Sequence, residues 1–393
     1  MRRTLVLINN TGIGGTERRL GRLFARLAEE DPETELIVNR SLWEKLVAAG
    51  AVTGREPRVR TLAEPCRWIA DRVRPVGTGA TFWLSKVDYL LMAVRFLVRY
   101  GFVSRRLFHL ALGGGYVALP LMVVRPSHRF ILSITNPELS AHVGTPKALP
   151  LYRAALSRCA QVDALTVQVR EDLIRRGVAA EKIAVSPGSV VDVERFRPAA
   201  VKEPWVIFAG RLIEDKNPFL FIEAAALIRR AAPDARFFLL GDGPLAPQVA
   251  AAVGRFHLQA VMTLGFQADV APVLAKGAVF VSLQRQDNYP SQSLLEAMAS
   301  GLASVATDVG LTWRLVDEET GIRVKPDAAS VAEAVVSLLR DPDRRRRMGE
   351  AARRRVSEQH SEERYRAYLD RLHAEGTGGA ERRVGDAVTN RRT

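Results

Sequence analysis

Short apolar runs alternate along the chain with stretches whose apolar residues recur at helical spacing, the pattern of parallel strands covered by helices. The clearest opening run, from Thr4 to Ile8, passes through a loop from Asn9 to Gly15. A stretch from Thr16 to Glu29 follows, with Leu20, Leu23, Phe24 and Leu27 on one face. Further strands are predicted from Leu107 to Leu110, Arg129 to Ile134, Ala164 to Val167 and Ile183 to Val185, each ending in turn chemistry. The segment from Pro198 to Pro204 has no periodicity, and after it the alternation restarts. Strands are predicted from Trp205 to Ala209, Phe237 to Leu240, Val261 to Leu264 and Val279 to Ser282. Asn217-Pro218 opens a helix that reaches about Arg230, and another runs from Ser293 to Gly301. The pattern predicts two α/β domains, 1–198 and 199–360, then a terminal helix over 361–373 and a disordered polar tail over 374–393.

Composition narrows the class. With 393 residues, 47% hydrophobic and 25% charged, the chain has the makeup of a globular protein large enough for two or three domains. Two cysteines, Cys66 and Cys159, give neither a disulfide framework nor a metal-spaced pair, so a reducing cytosol is the default expectation. The apolar stretch after Met1-Arg2-Arg3 is too short for a signal peptide. The run from Tyr89 to Val103 is broken by Arg95 and Arg99, whereas a membrane span needs about 20 apolar residues.

The net charge of +14 is concentrated early: residues 1–200 hold 30 Lys and Arg against 18 Asp and Glu, and residues 40–130 hold 15 against 5. Such a surplus favours an anionic partner, or is simply an arginine-rich solvated surface. From Tyr89 to Phe108 the apolar Leu90, Leu91, Val94, Phe96, Leu97 and Val98 accompany Arg95, Arg99, Arg105 and Arg106. That composition suits a helix lying on an anionic membrane, or a buried helix under a basic rim. No zinc, helix-turn-helix or RNA-binding aromatic signature accompanies the charge, so nucleic acid is not the expected partner.

Thr11-Gly-Ile-Gly-Gly-Thr-Glu17 lies between strand and helix, where backbone amides can face a phosphate. It is no dinucleotide fingerprint, because Glu17 stands where a third glycine is required, and it reads as an anion site or as a tight turn. Asp341-Pro342-Asp343 is predicted to join two helices, with Asp343 as cap, rather than to bind metal. No cofactor and no metal are implied.

Gly210-Arg211-Leu212, Lys216-Asn217, Gly241-Asp-Gly-Pro244 and the stretch from Asn288 to Gly301 resemble, in order and spacing, the motifs of family-four retaining glycosyltransferases (glycosyl transferases group 1). Val305 to Gly310, Thr320 to Ile322, Ser186 to Asp192, Phe196-Arg-Pro198 and Gly14 to Arg18 continue the match. The resemblance implies the GT-B fold: two Rossmann-like, doubly wound domains facing across a cleft, the first binding acceptor and the second the sugar nucleotide, with the last helix crossing back to the first. It implies transfer of a sugar, with retention and without metal, from a nucleoside-diphosphate sugar to a hydroxyl of a glycan, lipid-linked or small-molecule acceptor. The expected setting is polysaccharide biosynthesis in the cytoplasm, and the basic first half is the ground for expecting a peripheral position at the inner membrane face. In that family the places of Arg211 and Lys216 grip the diphosphate, that of Glu296 holds the ribose, and those of Ser291, Gln292 and Ser293 meet the β-phosphate and sugar.

Gly14, Gly15, Gly210, Tyr289 and Pro290 complete the implied donor set, and His109 resembles the family's histidine at a strand end facing the cleft. One departure stands out. Asn288 occupies the place of the family's first motif glutamate, with Asp287 beside it, so donor-sugar choice is expected to differ. A catalytically silent sugar-nucleotide or glycan-binding protein, and a sugar-nucleotide epimerase, are the alternative readings.

Overall fold

The computed structural model describes residues 1–9, 15–66, 78–134 and 149–377. The chain divides into two compact units: Met1–Ser186 together with the chain from Arg366 onward, and Pro187–Tyr365.

The first unit is built on β1 (Arg3–Ile8), β2 (Thr34–Asn39), β3 (Val59–Leu62), β4 (Leu107–Leu112), β5 (Arg129–Ile134), β6 (Gln161–Ala164) and β7 (Ile183–Val185). These strands pair in parallel in the order β3-β2-β1-β4-β5-β6-β7, so strand order reverses between β1 and β4. Helices α1 (Gly15–Glu30), α2 (Arg40–Ala48), α3 (Thr78–Tyr100), α4 (Gly114–Val124), α5 (Leu149–Arg158) and α6 (Val167–Arg175) connect them. β6 lies earlier than predicted, because Asp163 interrupts its apolar run and Thr166 caps α6 by accepting from Val169 N at 3.2 Å. The helix predicted from Tyr89 to Phe108 ends at Tyr100, and Phe108 lies in β4.

The second unit carries β8 (Trp205–Ala209), β9 (Arg236–Leu240), β10 (Met262–Gly265), β11 (Val279–Ser282), β12 (Ala303–Thr307) and β13 (Gly321–Val324), in the order β10-β9-β8-β11-β12-β13. Helices α7 (Pro218–Ala231), α8 (Ala246–Arg255), α9 (Ala271–Lys276), α10 (Gln292–Ala299), α11 (Ala328–Arg340) and α12 (Pro342–Gln359) alternate with the strands or follow them. Alternate strand residues feed two cores. Val206, Phe208, Val279 and Val281 join Phe221 and Phe237 on one side, while Ile207 and Phe280 join Leu295 and Met298 on the other. Each parallel, helix-covered sheet is of the Rossmann-like, doubly wound kind.

The dividing point lies before the segment 187–198, not after it, because that segment is fastened to the second unit. Val191 and Phe196 are buried in its core, Arg353 donates to Phe196 O at 2.8 Å, and His360 Nδ1 donates to Ser189 O at 2.9 Å. At the α11–α12 junction the cap is Asp341 rather than Asp343: its carboxylate accepts from Arg344 N at 2.9 Å, and Pro342 follows as the first helical residue.

A last helix, α13 (Glu362–Thr377), continues through residues assigned above to the tail, and 378–393 lie outside the described residues. From Arg366 on it belongs to the first unit, where a buried relay holds it. Arg3 Nη1 donates to His373 Nδ1 at 3.3 Å, His373 Nε2 meets His109 Nδ1 at 2.9 Å, and His109 Nε2 meets Ser133 Oγ at 2.7 Å. Ser133 and Tyr368 then donate to the two oxygens of Asp163 at 2.5 and 2.6 Å. Arginine only donates, so every proton in the relay points toward Asp163, and both imidazoles are neutral. Space is as tight as the bonding: a Cβ on Gly376 would stand 2.8 Å from Ile131 Cδ1.

Burial pushes His109 down to about 3 from the ordinary 6.5, and burial with the charge of Arg3 and the neighbouring His109 takes His373 well below that value. An unfolded chain therefore takes up two protons below about pH 6.5 that the folded unit refuses. Asp163, which burial pushes up, opposes them with one. The balance makes stability fall on acidification. The first unit's urea midpoint is expected to drop as pH falls from 6.5 to 4.5. The double variant His109→Gln/His373→Gln should abolish or reverse that fall, because only the opposing Asp163 remains, and a pH-independent wild-type midpoint would contradict the relay.

Candidate functional site

In an open parallel sheet, ligand crevices form beyond the carboxyl ends of the strands where strand order reverses. In the second unit that point lies between β8 and β11. The loop after β8 carries Gly210, Arg211 and Lys216, and the loop after β11 carries Gln284 through Ser291. One bond spans the crevice: Lys216 Nζ donates to Gln284 Oε1 at 2.7 Å. Gln284 is itself buried, its Nε2 donating to Ser282 Oγ at 3.4 Å and its carbonyl accepting from Thr307 Oγ1 at 2.7 Å. Lys216 is thus half-buried against a neutral amide. Burial and the nearby charge of Arg211 lower it from 10.5 to about 8, Asp215 opposing. Arg211 is exposed beside it.

The β8 loop is shaped by close approaches. A Cβ on Gly241 would fall 1.9 Å from Gly210 O, and one on Gly243 would fall 2.6 Å from Leu212 O, so only glycine lets the loops after β8 and β9 lie together. Asn217 adopts φ 53° and caps α7, while its Oδ1 accepts from Arg285 Nη2 at 3.3 Å. Arg285 N donates to Asp215 O at 2.9 Å, a second tie between the two loops.

Past Gln284, the β11 loop divides its polar residues by role. Asp287 Oδ1 accepts from Tyr289 N at 3.1 Å and from Leu311 N at 3.2 Å, holding this loop to the one after β12. Gly310, at φ 52°, makes room, since a Cβ there would stand 2.3 Å from the Asp287 side chain. Asp287 is therefore a scaffold group. Its neighbour Asn288 is exposed, and among the described residues no hydrogen bond engages its amide. Tyr289 is half-buried beneath Arg314, whose guanidinium carbon stands 5.7 Å from the ring centroid, and Pro290 packs near Gly188.

Ser291 is the buried N-cap of α10, and its side chain makes no capping bond to the helix's first amides. Those amides, with the positive end of the helix, face outward at the carboxyl edge of the sheet, as an anion site requires. Ser293 lies half-buried in the first turn. Gln292 is differently engaged from what the resemblance implies. Its amide meets Ser189 Oγ at 2.5 Å, donates to Val190 O at 3.2 Å and donates to Glu296 Oε1 at 3.2 Å, so it fastens the 187–198 segment and orients Glu296.

In the first unit, Gly14 lies outside the described residues and Gly15 is the exposed first residue of α1. His109 is corrected: it lies within β4, one per cent exposed, with both ring nitrogens bonded to His373 and Ser133. A histidine in that state has no nitrogen left for a substrate. The residue that sequence reasoning missed is Gln284, the partner of Lys216; no motif marks it. Among the described residues, no group of three His, Cys, Asp or Glu side chains is placed to hold a metal ion.

Residues 203–341 match the family description "Glycosyl transferases group 1". That match lies within the second unit. The chain is 31% identical over 255 residues to alpha-D-kanosaminyltransferase of Streptomyces kanamyceticus, a match covering 60% of this chain and 65% of that one. Matches to two further curated enzymes cover 34% and 45% of their lengths. Among solved structures, the sucrose-phosphate synthase of Thermosynechococcus elongatus superposes with a TM-score of 0.73 at 19% identity, over 96% of this chain and all of that one. Anabaena HepE in complex with UDP-glucose superposes at 0.72 with 15% identity, over 95% of this chain and all of that one. These likenesses give the fold its class, GT-B.

Proposed function

We propose that the protein is a retaining glycosyltransferase that moves a sugar from a nucleoside-diphosphate sugar to an acceptor hydroxyl. The observation that carries this reading is Lys216, a cation held at the switch point by an amide rather than a carboxylate, with Arg211 nearby. A departing diphosphate gains negative charge as the bond from the sugar's anomeric carbon to oxygen breaks, and fixed cations in a crevice stabilise that charge. As that bond breaks, the acceptor oxygen bonds the anomeric carbon and its proton passes to the departing diphosphate. Lys216 and Arg211 would take the diphosphate, the amides of Gln292 and Ser293 the β-phosphate, and Glu296 the ribose hydroxyls. Asn288, with an unengaged amide, would read the sugar. A metal-free reaction is part of the same proposal, the two cations supplying the charge. HepE, whose fold this chain shares, was solved with UDP-glucose, which supports a nucleotide-sugar donor.

Nucleotide release from a panel of UDP-, GDP- and ADP-sugars, followed by chromatography with and without acceptors, tests the reading. At least one donor should turn over, and Lys216→Ala should lower the rate on the order of 100-fold without unfolding the protein. Because the free ammonium titrates near 8, the wild-type kcat/KM should fall as pH rises past that value while Lys216 loses its proton. Asn288→Glu should reorder preference among sugars on one nucleotide, tenfold or more, and leave nucleotide affinity unchanged. Donor binding without any turnover would favour the silent binding protein instead.

A second observation bears on the acceptor. Val87, Leu90, Val94 and Val98 form an exposed stripe at helical spacing along α3, and Phe102 beyond it is 93% exposed. Phe96 and Met92 on the opposite side are buried in the core, so only half of the stretch read from sequence faces outward. Exposed Tyr116, Val123 and Val124 of the neighbouring α4 extend the patch. Arg95, Arg99 and Arg105 flank it, and the nearest helical carboxylate, Asp88, is buried. Among the described residues no helix is long and apolar enough to cross a membrane. An apolar face with a basic border suits an anionic bilayer surface carrying a lipid-linked acceptor. Sedimentation with anionic vesicles should recover the protein at low salt, and Leu90→Ser/Val94→Ser/Val98→Ser should abolish recovery. Equal recovery with neutral vesicles would remove the membrane from the proposal.

A further inference from the structure

Helix α12 breaks an electrostatic rule. The N-terminal end of a helix carries partial positive charge and favours acids, yet after the capping Asp341 and Asp343 the first turns of this one are occupied by Arg344, Arg345, Arg346 and Arg347. Two of the four have local work. Arg345 donates to Leu338 O at 3.0 Å and Leu339 O at 3.3 Å, closing the end of α11, and Arg346 pairs with Asp343 and Glu350 at 3.3 and 3.4 Å. Arg344 and Arg347 have none. They share a helical face with Ala351 and Arg354, all three arginines are exposed, and no ion pair among the described residues engages them. Like charges three apart on a helix destabilise it, so this face carries a strain that its own packing does not relieve.

That face lines a groove of about 920 Å³, distinct from the crevice at the switch point. Across the groove runs β13, the edge strand of the sheet, with Ile322 and Arg323, and Asp317, Glu318 and Glu319 close one end. Arg323 is paired with Asp308 at 2.7 Å, and Asp317 with Arg355 at 2.8 Å. Ile322, Met348 and Ala351 contribute apolar surface between the charges. From Arg344 to Arg354 the helix advances about 15 Å, so the three free guanidinium groups are strung along a line rather than gathered about one point.

We infer that this groove is a second, glycan-binding site, which takes an extended oligosaccharide bearing repeated anionic groups. Guanidinium groups pair with carboxylate, sulfate or phosphate in the same forked geometry, and their linear spacing suits a polymer better than a single ion. The apolar patches match the carbon–hydrogen faces of sugar rings. Single-stranded nucleic acid would call for aromatic stacking surfaces, and the groove lining contains none. The choice of a glycan rests on the proposed glycosyl transfer; the anionic character of the ligand rests on the arginines alone. A site here would hold a growing acidic chain away from the crevice where transfer is proposed.

The test is calorimetric binding of hexagalacturonate to the full chain at low salt, with maltohexaose and a thymidine oligonucleotide as comparisons. Hexagalacturonate should bind and the neutral hexamer should not, and Arg344→Gln/Arg347→Gln/Arg354→Gln should weaken binding tenfold or more. A second triple variant, Arg230→Gln/Arg236→Gln/Arg255→Gln, removes the same charge from exposed positions elsewhere in the unit and should bind as wild type does. Equal weakening in both triples would mean general attraction to a basic protein and overturn the site, as would equal binding of maltohexaose. Tighter binding of the oligonucleotide would overturn the glycan assignment. Sugar-nucleotide turnover, measured on the same variants, reports separately on the proposed activity.

Discussion

The second unit turns on one buried constraint: an ammonium group taken half out of water and given an amide carbonyl instead of a carboxylate. Had Lys216 met an acid across the crevice, its charge would be neutralised before any ligand arrived. Gln284 holds the side chain at 2.7 Å without supplying a carboxylate, and Gln284 can do so because Ser282 and Thr307 fix it from below. The consequence is an amine lowered to about 8, which an incoming anion would re-protonate and strengthen. Around it, close glycine contacts at Gly241 and Gly310 and the Asp287 carboxylate set the loops, so the polar groups that look most reactive in sequence are partly scaffold.

The first unit shows the reverse economy. Its most conspicuous titratable groups, His109, His373 and Asp163, are consumed in holding a helix to a sheet. Neutral imidazoles can carry a hydrogen-bond relay through a core at little cost in desolvation, where two charges would be expensive. A perturbed titration there reports packing rather than chemistry.

Most of the second unit was legible from the chain because its strands are continuous apolar runs bounded by glycine, proline or polar turns. In the first unit β2 and β3 escape the periodicity reading: Glu35 and Arg60 interrupt them, and Glu35 proves to be the acceptor for Tyr100 and Arg106. The motif residues Arg211, Lys216, Ser291 and Glu296 could be named because they resemble a known family's motifs in order and spacing. Gln284, 68 positions from Lys216, could not, and neither could the partner that buries His109, 264 positions away. Periodicity tells which face a residue takes, not which distant residue waits there. In α12 the helix turn sorts the first four arginines into two that are engaged and two that face a groove.

The discontinuity of the first unit sets an order on synthesis. Its sheet is complete in sequence by Val185, yet the helix that covers His109 and Asp163 is not made until the chain has passed through the whole of the second unit. During that interval His109 and Asp163 lack the partners that α13 supplies, His373 and Tyr368. The second unit, contiguous from Pro187 to Tyr365, can fold as it emerges. On the ribosome the first unit to begin is therefore the last to close, and the closing element is a single helix near the end of the described chain.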